Sequence, residues 1–288
     1  MVLSGYVELC KPRIGAMIVL TALVGYAAVA EHLEWSPILL LALAMLLGSS
    51  SSSIFNHFYD RDLDRKMQRT AQRPLVAGRI RNPYTVLWYA ALLLIAGVCL
   101  AFGVFNWAVA LHLFLGAFFY GIVYTVWLKR RTWLNIVIGG AAGSFAVLAG
   151  AAAFDPSVWL APVLMAVVLF LWTPSHFWAL AILLKDEYAE AGLPMLPVLV
   201  GEARCTYWIM ANTVLLVIAA ALPWLVGAFG HLYGLISTGA ALFFLWQNVQ
   251  LVRFPERVYA RKVFFGSMQY LSLIFLAVLM DRHLLSFL

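Results

Sequence analysis

The chain has 288 residues, 64% of them hydrophobic and only 11% charged, with a formal net charge of +6. A soluble domain is nearer half apolar and a quarter charged, so an ordinary soluble enzyme, a disordered chain and a disulfide scaffold are all excluded. The excess of positive charge does not indicate nucleic acid, because it sits in short clusters between long apolar runs and no nucleic-acid motif accompanies it.

Runs of about 20 apolar residues cross a bilayer as helices. Strand-type alternation is missing, which argues against a barrel. In chain order the expected spans are 14–30, 37–57, 84–103, 107–127, 133–153, 157–183, 206–228, 232–251 and 264–285. The expected fold is therefore an all-α integral membrane protein of nine transmembrane helices, with 1–288 as a single domain. The first run carries Lys11 and Arg13 before it and no cleavage site after it, so it reads as a retained span. Cys10, Cys99 and Cys205 are scattered and have neither metal-ligand nor bridge spacing.

The loop charges test the count. With nine spans, every Lys and Arg except Arg282 falls on one side of the membrane, including the cluster Arg61, Arg65, Lys66, Arg69, Arg73, Arg79 and Arg81. The positive-inside rule puts that side in the cytoplasm, with the N-terminus inside and the C-terminus outside. Most carboxylates share the same face. Carboxylates that hold Mg²⁺, beside Lys and Arg that neutralise phosphate oxygens, suit a magnesium–polyphosphate ligand.

The second span closes on Asn56-His-Phe-Tyr-Asp60-Arg-Asp62-Leu-Asp64. Asn56, Asp60 and Asp64 are spaced i, i+4, i+8 and form one stripe on a helix. Two such carboxylates repel unless a cation lies between them. Asp62 points elsewhere and suits an arginine partner. Arg69 and Arg73 follow four residues apart and can fork around phosphate oxygens. A second constellation follows the sixth span. Asp186 and Glu190 repeat the i, i+4 spacing, with Glu187 between them. His176 and His57 are costly inside a membrane and therefore candidate site residues. His112 reads as a packed polar residue. Phe119, Tyr120, Tyr124 and Trp172 should reach the cytoplasmic half, where ring faces would steady an allylic cation.

Taken together, these segments resemble the UbiA superfamily of intramembrane prenyltransferases. The resemblance runs through Lys11-Pro-Arg13-Ile, Asn56 to Asp64, Met67-Gln-Arg69-Thr, Arg73-Pro-Leu, Tyr124-Thr125 and Leu128-Lys129-Arg130. His176-Phe-Trp-Ala-Leu and Pro194-Met-Leu-Pro197 are similar to the branch that farnesylates heme. The chain departs from the family at His57, where a second asparagine is usual, and at Ser175, where a proline is usual.

The resemblance implies a helical bundle around a central cavity. It implies transfer of a farnesyl group from farnesyl diphosphate to a vinyl group of heme B, giving heme O and diphosphate. Asn56, Asp60 and Asp64 would be catalytic, with Asp60, Asp64, Asp186, Glu187 and Glu190 toward Mg²⁺. Lys11, Arg13, Arg69, Arg73 and Lys129 would bind the diphosphate. His176 or His57 would meet the heme, which is substrate rather than cofactor. Phe119, Tyr120, Tyr124 and Trp172 would line the prenyl pocket. Membrane lipid and a heme A synthase are the implied partners, and the bacterial inner membrane the implied location. The nearest alternative is a prenyltransferase of the same superfamily acting on an aromatic acid or quinone precursor. A transporter of anionic solutes would explain the helices and the basic face, but not the carboxylates grouped among the cations.

Overall fold

A computed structural model describes residues 2–80 and 82–284; Arg81 and Leu285, the last residue of the ninth expected span, lie outside it. Among the described residues the structure is helix and connecting turn, without strands. In a bilayer that follows from backbone chemistry, since a helix satisfies its own N–H and C=O groups.

A short helix α1 (Val2–Leu9) precedes α2 (Pro12–Val29), and α3 (Trp35–Tyr59) ends in the single turn α4 (Arg61–Asp64). Next come α5 (Thr85–Val104) and α6 (Trp107–Phe118), which passes into a π-helical stretch, Phe119–Leu128. The following span is broken into α7 (Asn135–Gly139) and α8 (Ala141–Phe154). Helix α9 (Leu160–Leu183) is followed by two short helices, α10 (Lys185–Glu190) and α11 (Leu196–Val200). The bundle closes with α12 (Glu202–Leu225), α13 (His231–Arg253) and α14 (Arg257–Leu279), which continues to Leu284.

Eight of these helices are long and apolar enough to cross a membrane, and α2 supplies a shorter apolar run, Pro12–Ala27. The expected nine spans are thus reproduced to within a few residues at most ends. The exception is the last one, which starts at Arg257 rather than 264 because its first two turns are basic and extend past the apolar stretch. The short helices α1, α4, α10 and α11 have no long apolar run and were not expected.

Contacts sort the loops into two faces. Arg79 pairs with Glu8, Arg130 with Asp62, Lys185 with Glu202 and Arg257 with Asp186. All of these join the basic loops and the N-terminal segment to one another. At the opposite end Asn106 donates to the Ala152 carbonyl, and Asp281 accepts from the Gly230 and Tyr233 amides. The alternation that the loop charges required is therefore the one the chain adopts.

Helices α2 and α8 touch backbone to backbone. A Cβ on Gly25 would overlap the Val147 carbonyl, and one on Gly150 would overlap the Ala22 carbonyl. Small residues permit such close approach inside membranes, where packing replaces the hydrophobic drive. Gly150→Val should therefore lower unfolding stability by roughly 1–3 kcal/mol or more, read as an earlier midpoint in detergent titrations. A wild-type midpoint would show that the helices part freely at this crossing.

Candidate active site

The stripe that closes the second span survives the small break between α3 and α4. The Asp60 amide still donates to the Asn56 carbonyl, and the Asp64 amide to the Asp60 carbonyl. Asn56, Asp60 and Asp64 are all buried, Asp60 completely. Charge at that depth must be matched, and cations from three other segments match it. Lys129 forms an ion pair with Asp60, and Arg130 stands 3.7 Å from the same carboxylate. Arg73 places one amino group 2.7 Å from both oxygens of Asp64.

The N-terminal segment contributes Lys11, the one described non-glycine residue with positive φ (49°). That left-handed turn between α1 and α2 aims its ammonium inward, where it donates to Asn56 Oδ1 at 2.6 Å and to the Tyr120 hydroxyl at 3.0 Å. Backbone strain held by such contacts is typical of functional sites. Burial, aided by Arg73, pushes the Lys11 amine down to about 7, against the opposing pull of Asp60 and Asp64.

The π-helical stretch completes the inner wall. Its wider turns leave Tyr120 and Tyr124 stacked at 5.8 Å, and present Thr125 to Asn56. The Asn56 amide donates to Asp60 Oδ2 at 2.8 Å and to Thr125 Oγ1 at 3.1 Å, while Thr125 donates to the Tyr120 carbonyl. Such wide turns recur at functional sites. Asn135, fully buried, donates to the Lys129 carbonyl and holds that loop in place.

These groups border a cavity of about 640 Å³. All five expected diphosphate-binding residues, Lys11, Arg13, Arg69, Arg73 and Lys129, line it, as do Asn56, Asp64, His57, Tyr120 and Tyr124. Asp60 lies just behind, and its Oδ1 is buried without a hydrogen-bond partner. Phe177, Leu180, Ile136 and Met195 supply an apolar wall.

Among the described residues no three His, Cys, Asp or Glu side chains converge as a cage. Mg²⁺ does not need one, because it is commonly held by one or two carboxylates, water and substrate phosphates. Two buried carboxylates, one with an unpartnered oxygen, fit that requirement. Asp62 behaves as expected of it, forming a fork with Arg130 at 2.7 Å per bond that holds its carboxyl below the usual range.

Other expected residues are not brought here. Asp186 is exposed and pairs with Arg257, and Glu190 is exposed, because that face of α10 turns outward. Only Glu187 is half-buried, with an unpartnered oxygen, next to the cavity-lining Tyr188. His176 is a core residue. It stacks between Trp172 and Phe264 at 4.4 and 4.6 Å, and its Nδ1 lies 2.7 Å from Ser267 Oγ. Trp172 donates to the Ser267 carbonyl and so faces α14. Phe119 packs on Phe145 at 5.1 Å, away from the cavity.

His57, by contrast, is buried at the cavity wall with both ring nitrogens unpartnered. His112 is also placed differently from expectation. It lines a narrow pocket behind Tyr120, and its Nδ1 has no partner. Thr125, Asn135 and Tyr188 were not assigned to the site from the sequence. Thr125 lies in a segment that carries the family resemblance, and Tyr188 lies next to Glu187.

The sequence matches the UbiA prenyltransferase family over residues 18–274, and the chain belongs to that family. Among its relatives, protoheme IX farnesyltransferase 1 of Paramagnetospirillum magneticum is 56% identical, covering 96% of this chain and 98% of that one. Protoheme IX farnesyltransferase 2 of the same organism is 47% identical, covering 94% of each. The fold also matches a digeranylgeranylglyceryl phosphate synthase (TM-score 0.82, 20% identity, 98% of both chains). A UbiA homolog from Archaeoglobus fulgidus bound to DMAPP and Mg²⁺ matches as well (TM-score 0.70, 18% identity, 95% of this chain and 98% of that one).

Removing Lys129 would leave the Asp60 carboxylate buried with the Asn56 amide and, as its ion-pair partner, only the more distant Arg130. Lys129→Met is expected to cost roughly 3–5 kcal/mol. Lys129→Met combined with Asp60→Asn should recover most of it. Unfolding midpoints of the two single variants and the double variant measure this coupling, and additive losses would rule it out.

Proposed function

We propose that this protein farnesylates heme B at the cytoplasmic face of the inner membrane, with its whole length acting as one domain. The observation that carries this reading is the cavity itself. The buried Asp64 and five cations line it, with the buried Asp60 just behind, and Ile136, Phe177, Leu180 and Met195 give it an apolar wall. Diphosphate and metal match the first surface; farnesyl and porphyrin match the second. The names of the 56% and 47% identical relatives support heme as the acceptor over an aromatic acid or quinone precursor. The Mg²⁺-bound structural neighbours support the metal.

In this reading Asp60 and Asp64 would hold Mg²⁺ with the diphosphate, and Glu187, with one buried unpartnered oxygen, is the remaining acidic candidate for a second ion. Asp186 and Glu190 take no part. Bound Mg²⁺ would supply charge neutralisation for the departing diphosphate. Lys11, Arg13, Arg69, Arg73 and Lys129 then share the remaining charge as the C–O bond breaks. Asn56 orients Asp60 through its amide and receives the Lys11 ammonium on its carbonyl.

Tyr120 and Tyr124 line the cavity, and their ring faces would stabilise positive charge on the allylic carbon. The heme vinyl π-bond attacks that carbon and the C–C bond forms. Water then adds to the porphyrin-side cation and loses a proton, giving the hydroxyethylfarnesyl group and free diphosphate. His57 lines this cavity, and its buried ring would have to turn out of the wall to meet the heme iron. Lipid delivers both apolar substrates, and a heme A synthase would take the product.

The orientation is testable with a reporter. Alkaline phosphatase fused after Leu288 should be active outside the membrane, and fused after Leu128 inactive. The opposite pattern would invert the topology. For the chemistry, membranes given heme B, farnesyl diphosphate and Mg²⁺ should yield a farnesylated heme that disappears with EDTA. Loss of several kcal/mol of metal stabilisation corresponds to about 100- to 1000-fold in rate. Asp60→Asn should show such a loss while keeping the native fold. Near-wild-type turnover in that variant would remove the metal role.

A further inference from the structure

A second, narrower pocket of about 80 Å³ lies directly behind the first. The two share Ile14 and Tyr120, so whatever enters the second passes these two side chains. Its walls come from α2, α3, α6 and α8 and are mostly apolar. The Ser52 hydroxyl on its wall is turned back to the Ser49 carbonyl at 3.1 Å. No charged residue lines it. An apolar chain leaving the diphosphate end therefore has a continuous route into it.

The far end is shut. On α3 the lining residue most distant from Asn56 is Met45, about 16 Å along the helix axis. On α6 the corresponding limit is His112 with Leu113. Beyond them Leu41, Val109 and Ala149 are buried in one packed cluster that also contains Met45 and Leu113. At the same depth α2 and α8 cross at Gly25 and Gly150, backbone against backbone, and leave no passage between those two helices. The pocket has room for the end of a chain and no more.

We propose that Met45, His112 and Leu113 form the floor of this blind pocket and set the accepted donor at three isoprene units. The proposal rests on the reading that the donor is a prenyl diphosphate. It assigns His112 a position: its imidazole lines the pocket at the floor, and its Nδ1 is buried without a hydrogen-bond partner. A fourth isoprene unit would have to displace the Met45 side chain or the imidazole. Met45 is buried in the packed cluster and has no room to retreat into.

The test measures Kd for unreactive thiolodiphosphates of two, three and four isoprene units, with Mg²⁺, on the purified full chain. This reads the tail pocket whatever the acceptor is. Wild type should bind the three-unit compound best. Met45→Ala and His112→Ala should each move the preference toward the four-unit compound by about tenfold, the scale set by hydrophobic pockets that distinguish chain length. Ser49→Leu, which narrows the pocket above the floor, should move it about as far toward the two-unit compound. A misfolded variant cannot produce opposite shifts.

If all three variants keep the wild-type preference within twofold while still binding, the tail leaves by another route and the floor is not the gauge. If inorganic diphosphate competes with wild type as well as any prenyl compound does, the donor reading falls, and the proposal with it.

Discussion

Carboxylates inside a membrane protein must be given cations, and this requirement organises the structure around Asp60 and Asp64. Each carboxylate is buried, and each is met by a base from a different part of the chain. Lys129 comes from the end of the π-helical stretch, Arg73 from the loop after α4, and Lys11 from the strained turn before α2. Those segments belong to separate spans. Fixing their charged ends on one stripe fixes how the spans assemble at the cavity face. The same arrangement leaves a neutralised but cation-rich cavity, which is what a diphosphate with its metal needs.

Much of this was legible in the sequence, because the signals were periodic or one-sided. Apolar runs gave the spans, and the loop charges gave their alternation. The Asn56–Asp60–Asp64 spacing gave the stripe, since its residues lie on one nearly continuous helix. All five cations assigned to the diphosphate border the cavity for the same reason: a charge near a membrane face has few places to go.

The failures share a different cause. Spacing reports which side of its own helix a residue occupies, not how that helix is rotated in the bundle. Asp186 and Glu190 do share a face, but α10 turns that face toward Arg257 and solvent. His176 and Trp172 are on one stripe of α9, and it docks on α14. Phe119 and Tyr120 are adjacent, yet the wide turns of the π-helical stretch send one to Phe145 and the other to Lys11. No periodicity in the sequence marks that change of helical type. Pockets formed between helices, such as the one lined by His112, are likewise invisible until the crossings are known.

The central claim is that Asp60 and Asp64 share a metal with the diphosphate of the prenyl donor. Electron paramagnetic resonance tests it most directly, on protein loaded with Mn²⁺ in place of Mg²⁺ and with the unreactive three-isoprene thiolodiphosphate. A bound Mn²⁺ with ³¹P hyperfine coupling is expected, and it should be lost in Asp60→Asn and in Asp64→Asn. Undiminished ³¹P coupling in both variants would contradict the account and place the metal on other residues.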